Sequence, residues 1–196
     1  RGLGDVYKRQ QTSCEVTVEA VENLLGGQEI DQYLAMGLDG ISTLNDLAGG
    51  VTVTLEDDFS AADPAMTKGA TLTLQGNQAE IFVRRRMDIG EGTNEARMVR
   101  QEEYLAQLSA QLESRVQQNQ QFTAQVYDAL QPYLVTDLAK GQLVNEVWAA
   151  KDDTVEPAIA LEGEHKVAED GFTEFYPTEA SIQKAVLTLF WEPVEE

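Results

Sequence analysis

Five arginines fall within seventeen residues: Arg84, Arg85 and Arg86 in "IFVRRRM", then Arg97 and Arg100 in "EARMVRQ". The chain around them is poor in cations and rich in carboxylates, with a formal net charge of −20, so the cluster does nothing for solubility. A guanidinium offers a planar fork of donors that matches phosphate oxygens, and it keeps its charge when desolvated. Three arginines at a helix end, facing two more across the glycine-containing "MDIGEGT", have the types and spacing to close on a pyrophosphate. Arg85, between the other two, points elsewhere on a helix and is the expected bystander. The same residues also suit a structural role. Cations are favoured at a helix C-terminus, and Asp88, Glu91 and Glu95 are available as surface partners, in pairs of a kind that contribute little. Both readings stay open on the residues alone.

The elements that must position these arginines follow from periodicity. "LTLQGNQAEIFVRRR" starts extended, turns at Gly76 and becomes a helix over about 77–85. A long helix over about 94–118 puts Arg97, Arg100, Gln101 and Tyr104 on one face. Upstream, "TSCEVTVEAVENLLGG" reads as a helix with Thr12 and Glu15 at capping-box spacing and Gly26-Gly27 as its stop. "DQYLAMGL" reads as a buried strand. Asp39 is placed to cap "GISTLNDLA", whose stripe Ile41, Leu44 and Leu47 faces a core. "VTVTLEDDF" alternates with the period of a half-buried strand, and 56–70 is a loop. A further helix over about 120–131 is broken at Pro132, and another follows with Thr136 or Asp137 as its cap. "TVEPAIALEG" and "GFTEFYP" pair as strands, and "TEASIQKAVLTLFW" forms a terminal helix. Helices alternating with strands predict an α/β fold, a layered α-β-α domain with a central mixed sheet.

The 196 residues, 42% hydrophobic and 24% charged, suffice for one globular domain with a real core. A strongly acidic surface repels phosphate backbones and excludes a nucleic-acid partner. Cys14 has no second cysteine to pair with, and His165 in "EGEHKV" is expected at the surface, with no second His or Cys to complete a zinc site. The first ten residues, "RGLGDVYKRQ", match the translation of a transposon-type sequencing adapter. They are expected to be foreign, with 11–196 as the native part of one domain that is incomplete at its N-terminus. Setting them aside removes three cations and one carboxylate and takes the formal charge from −20 to −22.

The motifs Gly49-Gly50-Val51, then Leu74, Gly76 and Ala79, then Phe82-Val83-Arg84 with Arg86, then Arg97 and Arg100-Gln101 occur in the order and spacing of the LytR–CpsA–Psr family. The likeness is strongest over 49–105 and extends over nearly all of 11–192. The resemblance implies an enzyme outside the cell membrane, a phosphotransferase that moves a glycopolymer from an undecaprenyl pyrophosphate carrier to a hydroxyl of peptidoglycan. It implies Mg²⁺ as cofactor, arginines on the pyrophosphate, an apolar pocket for the prenyl tail, and a membrane-anchoring helix upstream of Gln11. Carried over residue by residue, Arg84, Arg86 and Arg100 are the catalytic arginines, and Arg97, Gln101 and Tyr104 bind substrate. Tyr33, Phe82, Tyr104 and Trp148 are aromatic candidates for the pocket wall. Two departures stand out: Glu102 replaces a second Gln after Gln101, and the loop reads "GEGTN" where the family often has Asp-Gly-Asp. With the early acidic motifs upstream of Gln11, the chain alone is expected to be inactive. The alternative reading is a non-catalytic module for anionic glycans or lipid phosphates; a third is an interaction domain with no anion site.

Overall fold

The structure is a computed structural model that describes residues 3–86, 89–90, 92–153 and 159–191. In chain order the elements are α1 (Leu3–Leu24), β1 (Leu34–Met36), α2 (Gly40–Ala48), β2 (Thr52–Thr54), β3 (Thr71–Thr73), α3 (Asn77–Arg84), α4 (Asn94–Gln118), α5 (Phe122–Leu130), β4 (Leu134–Thr136), α6 (Lys140–Ala149), β5 (Gly163–Val167), β6 (Thr173–Pro177) and α7 (Glu179–Phe190). They fall into two compact units, Leu34–Asp153 and a second that joins residues 1–33 to 154–196.

The unit over Leu34–Asp153 carries the arginines and the core. Val51, Val53 and Leu55 point inward from β2 while Thr52 and Thr54 face out, as the two-residue period requires. The threonines meet partners on β3: Thr52 Oγ1 lies 2.8 Å from Thr73 Oγ1, and Thr54 Oγ1 lies 2.8 Å from Thr71 Oγ1. Ala79, Phe82 and Val83 of α3 and Tyr104 and Leu108 of α4 close the core from the helical side. Residues 56–70, expected as a plain loop, add two fully buried side chains, Phe59 and Met66, held where Phe59 N donates to Met66 O at 2.9 Å.

Asn45 organises this unit. It is the one buried polar side chain among the described residues. Its Nδ2 donates to Leu74 O at 2.8 Å, and its Oδ1 accepts from Val51 N at 3.2 Å and Tyr104 Oη at 3.2 Å. One side chain of α2 therefore ties the start of β2, the end of β3 and the middle of α4. The chain leaves α2 through Gly49 at φ +103, where its N–H bonds back to Asn45 O and Asp46 O. That left-handed C-cap is the reason for glycine there.

The α/β class holds, and the sheet takes a different form. Among the described residues the strands pair as three two-stranded antiparallel ladders, β1–β4, β2–β3 and β5–β6, where one central mixed sheet was expected. The long return through 56–70 brings β3 back beside β2 in the opposite sense, and β1 pairs with β4 in the register Met36↔Leu134. β4 follows directly on the turn at Pro132, and its three residues are too short to show a period. Thr136 therefore ends a strand, and α6 begins after Ala139, whose N–H donates to Gln142 Oε1 at 3.0 Å. Asp39 precedes α2 in a helical conformation without a side-chain cap. The turn before it supplies the acceptors: Gly40 N bonds Gly37 O and Ile41 N bonds Leu38 O.

The second unit consists of α1, the β5–β6 hairpin and α7. Thr12 is not a cap, because α1 starts at Leu3 and runs through it; no glycine or proline lies between Asp5 and Gly26 to stop it. Thr178 caps α7 by accepting from Ser181 N. The second strand of the expected pair forms, but its partner is 163–167, which shares only Gly163 with the expected 154–163; residues 159–162 are not strand, and 154–158 lie outside the described residues. His165 is exposed on β5, its ring 5.0 Å from that of Phe175. Cys14 is a free thiol.

Candidate functional site

The N-terminal end of α4 meets the C-terminal end of α3, and the contact is made by consecutive side chains. Gln101 Nε2 donates to Val83 O at 2.9 Å. Arg100 Nη2 donates to Arg85 O at 2.5 Å. Helix ends leave their last carbonyls without intrahelical donors, and here Gln101 supplies one for α3 while Arg100 fixes the chain just beyond it. Arg85 has already left the helix, with φ −68 and ψ 129. Its side chain is therefore not on a helix face, and its backbone carbonyl accepts from Arg100.

Arg100 is held on further sides. Its Nη1 lies 3.4 Å from Asp57 Oδ2, with the arginine side chain 11% exposed. Its guanidinium carbon stands 5.3 Å from the centre of the Phe59 ring, a cation–π arrangement. Burial lowers its pKa from the usual arginine value; Asp57 opposes that shift and the nearby charge of Arg97 adds to it. Arg100 Nε is buried with no hydrogen-bond partner among the described residues. Gly90, at φ +50, packs its bare α-carbon against the Asp57 carboxylate, where any side chain would collide. Ile89 beside it is buried in the core.

The other predicted arginines are placed less tightly. Arg84 ion-pairs with Glu80 one turn back and keeps about half of its side chain exposed. Arg86 is exposed beyond the end of α3. Asp88 and Glu91 lie outside the described residues, as does the side chain of Glu95. The structure thus brings Arg97, Arg100 and Gln101 together on α4, while Arg84 is engaged on the outer face of α3.

Behind Gln101 the same face of α4 becomes apolar. A cavity of about 280 Å³ is lined by Gln101, Tyr104, Leu105 and Leu108 of α4, with Ile41 and Leu44 of α2 opposite. A second, of about 260 Å³, continues along Leu112 and Val116 towards Phe122, Tyr127 and Leu130 of α5. Met36 and Leu44 border both. Ile41 and Leu44, expected as plain core, therefore form a cavity wall. Of the aromatic candidates, Tyr104 lines the first cavity. Phe82 is core, and Trp148 stacks under Lys151 at 5.4 Å. Burial, and then the charge of Asp46, push the Tyr104 hydroxyl up to about 12, so it stays protonated and donates to Asn45.

Mixed helices and small antiparallel ladders, with two apolar cavities beside α4, define an α/β protein. The chain belongs to the LytR_cpsA_psr family, whose profile matches residues 7–189. Over 103 residues it is 37% identical to the cell wall biosynthesis protein LcpA of Corynebacterium glutamicum, a stretch that is 50% of this chain and 19% of LcpA. In fold it resembles gbs0355 of Streptococcus agalactiae, with a TM-score of 0.70 and 21% identity over 87% of this chain and 60% of that one. It also resembles TagT bound to LI-WTA, with a TM-score of 0.63 and 19% identity over 86% and 62%. The chain thus spans less than two thirds of these relatives.

Proposed function

We propose that this chain carries the lipid-diphosphate half of a cell-wall glycopolymer phosphotransferase. Its ligand is an undecaprenyl pyrophosphate-linked glycopolymer, and the acceptor is a peptidoglycan hydroxyl. The supporting observation is on α4: Gln101 lines the first apolar cavity and a second follows further along the helix, while Arg97 and Arg100 stand within one turn of Gln101 at the same end. The head of the ligand lies at the arginines, where the positive end of the helix adds to the attraction, and the tail follows α4. In the transfer, the acceptor oxygen attacks the glycopolymer-bearing phosphorus and loses its proton. The bond to the bridging oxygen breaks, and the prenyl phosphate leaves. Charge builds on the leaving and non-bridging oxygens, and fixed guanidinium groups stabilise it there. Asp57 and Phe59 position Arg100; Arg84, paired with Glu80, and the exposed Arg86 are assigned to the head by the resemblance of their motif and must turn towards it on binding.

Mg²⁺ enters only as the cofactor expected of the whole enzyme. Among the described residues no three His, Cys, Asp or Glu side chains come together to hold a metal, so the described residues do not fit it and no step runs through it. The intact protein is proposed to work outside the cell, anchored to the membrane; among the described residues no helix is long and apolar enough to cross one. For the chain alone we expect binding without turnover.

Calorimetric titration with geranyl pyrophosphate tests the reading. Saturable binding is expected, weakened at least tenfold in an Arg84→Ala/Arg86→Ala double variant, because a charge-assisted hydrogen bond contributes about 1.5–3 kcal/mol. A flat titration of the unmodified chain overturns it in favour of an interaction domain with no anion site.

A further inference from the structure

We infer that Met36, seated on Gly40, divides the apolar groove into two compartments and sets the length of prenyl chain that it accepts. The inference rests on the reading of the groove as a prenyl site. Its starting point is the lining that the two cavities share: Met36 of β1 and Leu44 of α2 line both. On α4 the lining passes from Gln101 and Leu108 on one side of this waist to Leu112 and Val116 on the other. At 1.5 Å per residue the run from Gln101 to Val116 covers about 22 Å. Small-molecule sites commonly occupy about 300–1,000 Å³. At about 280 Å³ and 260 Å³ each compartment alone falls just under that range. Opened into one groove, they fall inside it.

Met36 has the chemistry of a movable divider. Its side chain is unbranched, with three rotatable bonds and a soft thioether that re-packs at low cost. Its seat is made by a missing side chain. A Cβ at Gly40 would stand 2.7 Å from Met36 Cγ and 2.9 Å from Met36 Sδ, closer than such atoms approach. Gly40 opens α2 in an ordinary backbone conformation, so it makes no use of the left-handed freedom that usually explains a glycine. What Gly40 provides is room for the Met36 side chain and for the close approach of Tyr133, whose Cβ would lie 3.1 Å from a Cβ at position 40. Alanine there is compatible with the helix and must displace the flexible thioether from its seat. Alanine at position 36 removes the divider altogether.

The two substitutions therefore act in opposite directions on the preference for long chains over short ones. We would titrate the unmodified chain, Met36→Ala and Gly40→Ala with geranyl diphosphate (ten carbons) and geranylgeranyl diphosphate (twenty carbons), below the concentration at which the latter forms micelles. The readout is the ratio of the two affinities within each protein, which a partly unfolded sample does not change. Relative to the unmodified chain, the twenty-to-ten-carbon ratio is expected to rise about tenfold in Met36→Ala and to fall about tenfold in Gly40→Ala, the scale at which apolar pockets discriminate chain length. An unchanged ratio in both variants, with ten-carbon binding intact, overturns the divider and leaves the site standing. An unmodified chain that binds neither diphosphate overturns the site, and the divider with it.

Discussion

At the scale of single residues, Tyr104 does two things. Its ring lines the groove beside Gln101, and its hydroxyl donates to Asn45 Oδ1 at 3.2 Å. The bond requires the neutral phenol, which burial and the Asp46 charge secure by raising its pKa from 10.0 to about 12. In the unfolded chain tyrosine ionises near pH 10. The folded state therefore retains this proton where the unfolded state has lost it, and the stabilisation is full below about pH 10 and is lost as pH rises towards 12. Tyr104→Phe is expected to cost about 1 kcal/mol at pH 7 for the missing hydrogen bond. Between pH 10 and 12 that gap should shrink, as read by urea denaturation at a series of pH values. A gap that stays constant to pH 12 would show that the phenol titrates like a free tyrosine. Tyr104 was legible in the sequence through its place one turn beyond Arg100, but Asn45 was not. A lone Asn on an amphipathic helix reads as part of the polar face, and only its partners on β2, β3 and α4 turn it into the centre of the unit.

At the scale of elements, the "RQ" pair is a joint as well as a candidate ligand set. Gln101 holds Val83 O and Arg100 holds Arg85 O, so the end of α3 is registered against the start of α4 by two adjacent side chains. Arg100 depends on that registration. Gln101→Ala is expected to lower stability by about 1 kcal/mol and to weaken geranyl pyrophosphate binding by more than its own contact explains, because Arg100, anchored next to it on Arg85 O, loses its fixed position. A Gln101→Glu control replaces the amide donor with an acceptor facing a carbonyl, and it should do worse than alanine on both measures. Equal stability in all three proteins would remove the joint. Which elements could be foreseen follows the same physics. α3 and α4 were placed nearly to the residue because long apolar periodicities and Gly76 mark them. β4 was missed because three residues after a proline carry no period. The start of α1 was misplaced because a capping-box spacing is only a local signal, and a helix continues through it when the residues before it permit. Arg84, Arg86, Arg97, Arg100 and Gln101 were all visible as chemistry. That Arg100 would be tied to Asp57, forty-three residues earlier, lies in the tertiary fold alone.

At the scale of the whole molecule, the charge of −20 sets two opposed responses to salt. A chain so far from neutrality repels itself, and compaction brings its carboxylates closer. The ion pairs among the described residues offset little of this, since all but Arg100 with Asp57 have at least one exposed partner, and Lys140 with Asp128 and Lys166 with Glu164 have two. Salt shortens the reach of the repulsion, from a Debye length of about 10 Å at 0.1 M to about 3 Å at 1 M. The first unfolding midpoint is therefore expected to rise by about 2–4 °C from low salt to 0.5 M NaCl, the shift that about 1 kcal/mol produces in a chain of this size. Binding should move the other way. On the proposed function, the arginines attract a diphosphate against the net charge of the molecule only at short range, and the same salt screens that attraction, so affinity for geranyl pyrophosphate should fall over the same range. A midpoint that drops with salt would mean that local ion pairs, and not overall repulsion, dominate stability. An affinity indifferent to salt would mean that the apolar groove binds the tail while the guanidinium groups leave the head unheld, since an anion held by screened surface charge cannot be insensitive to it.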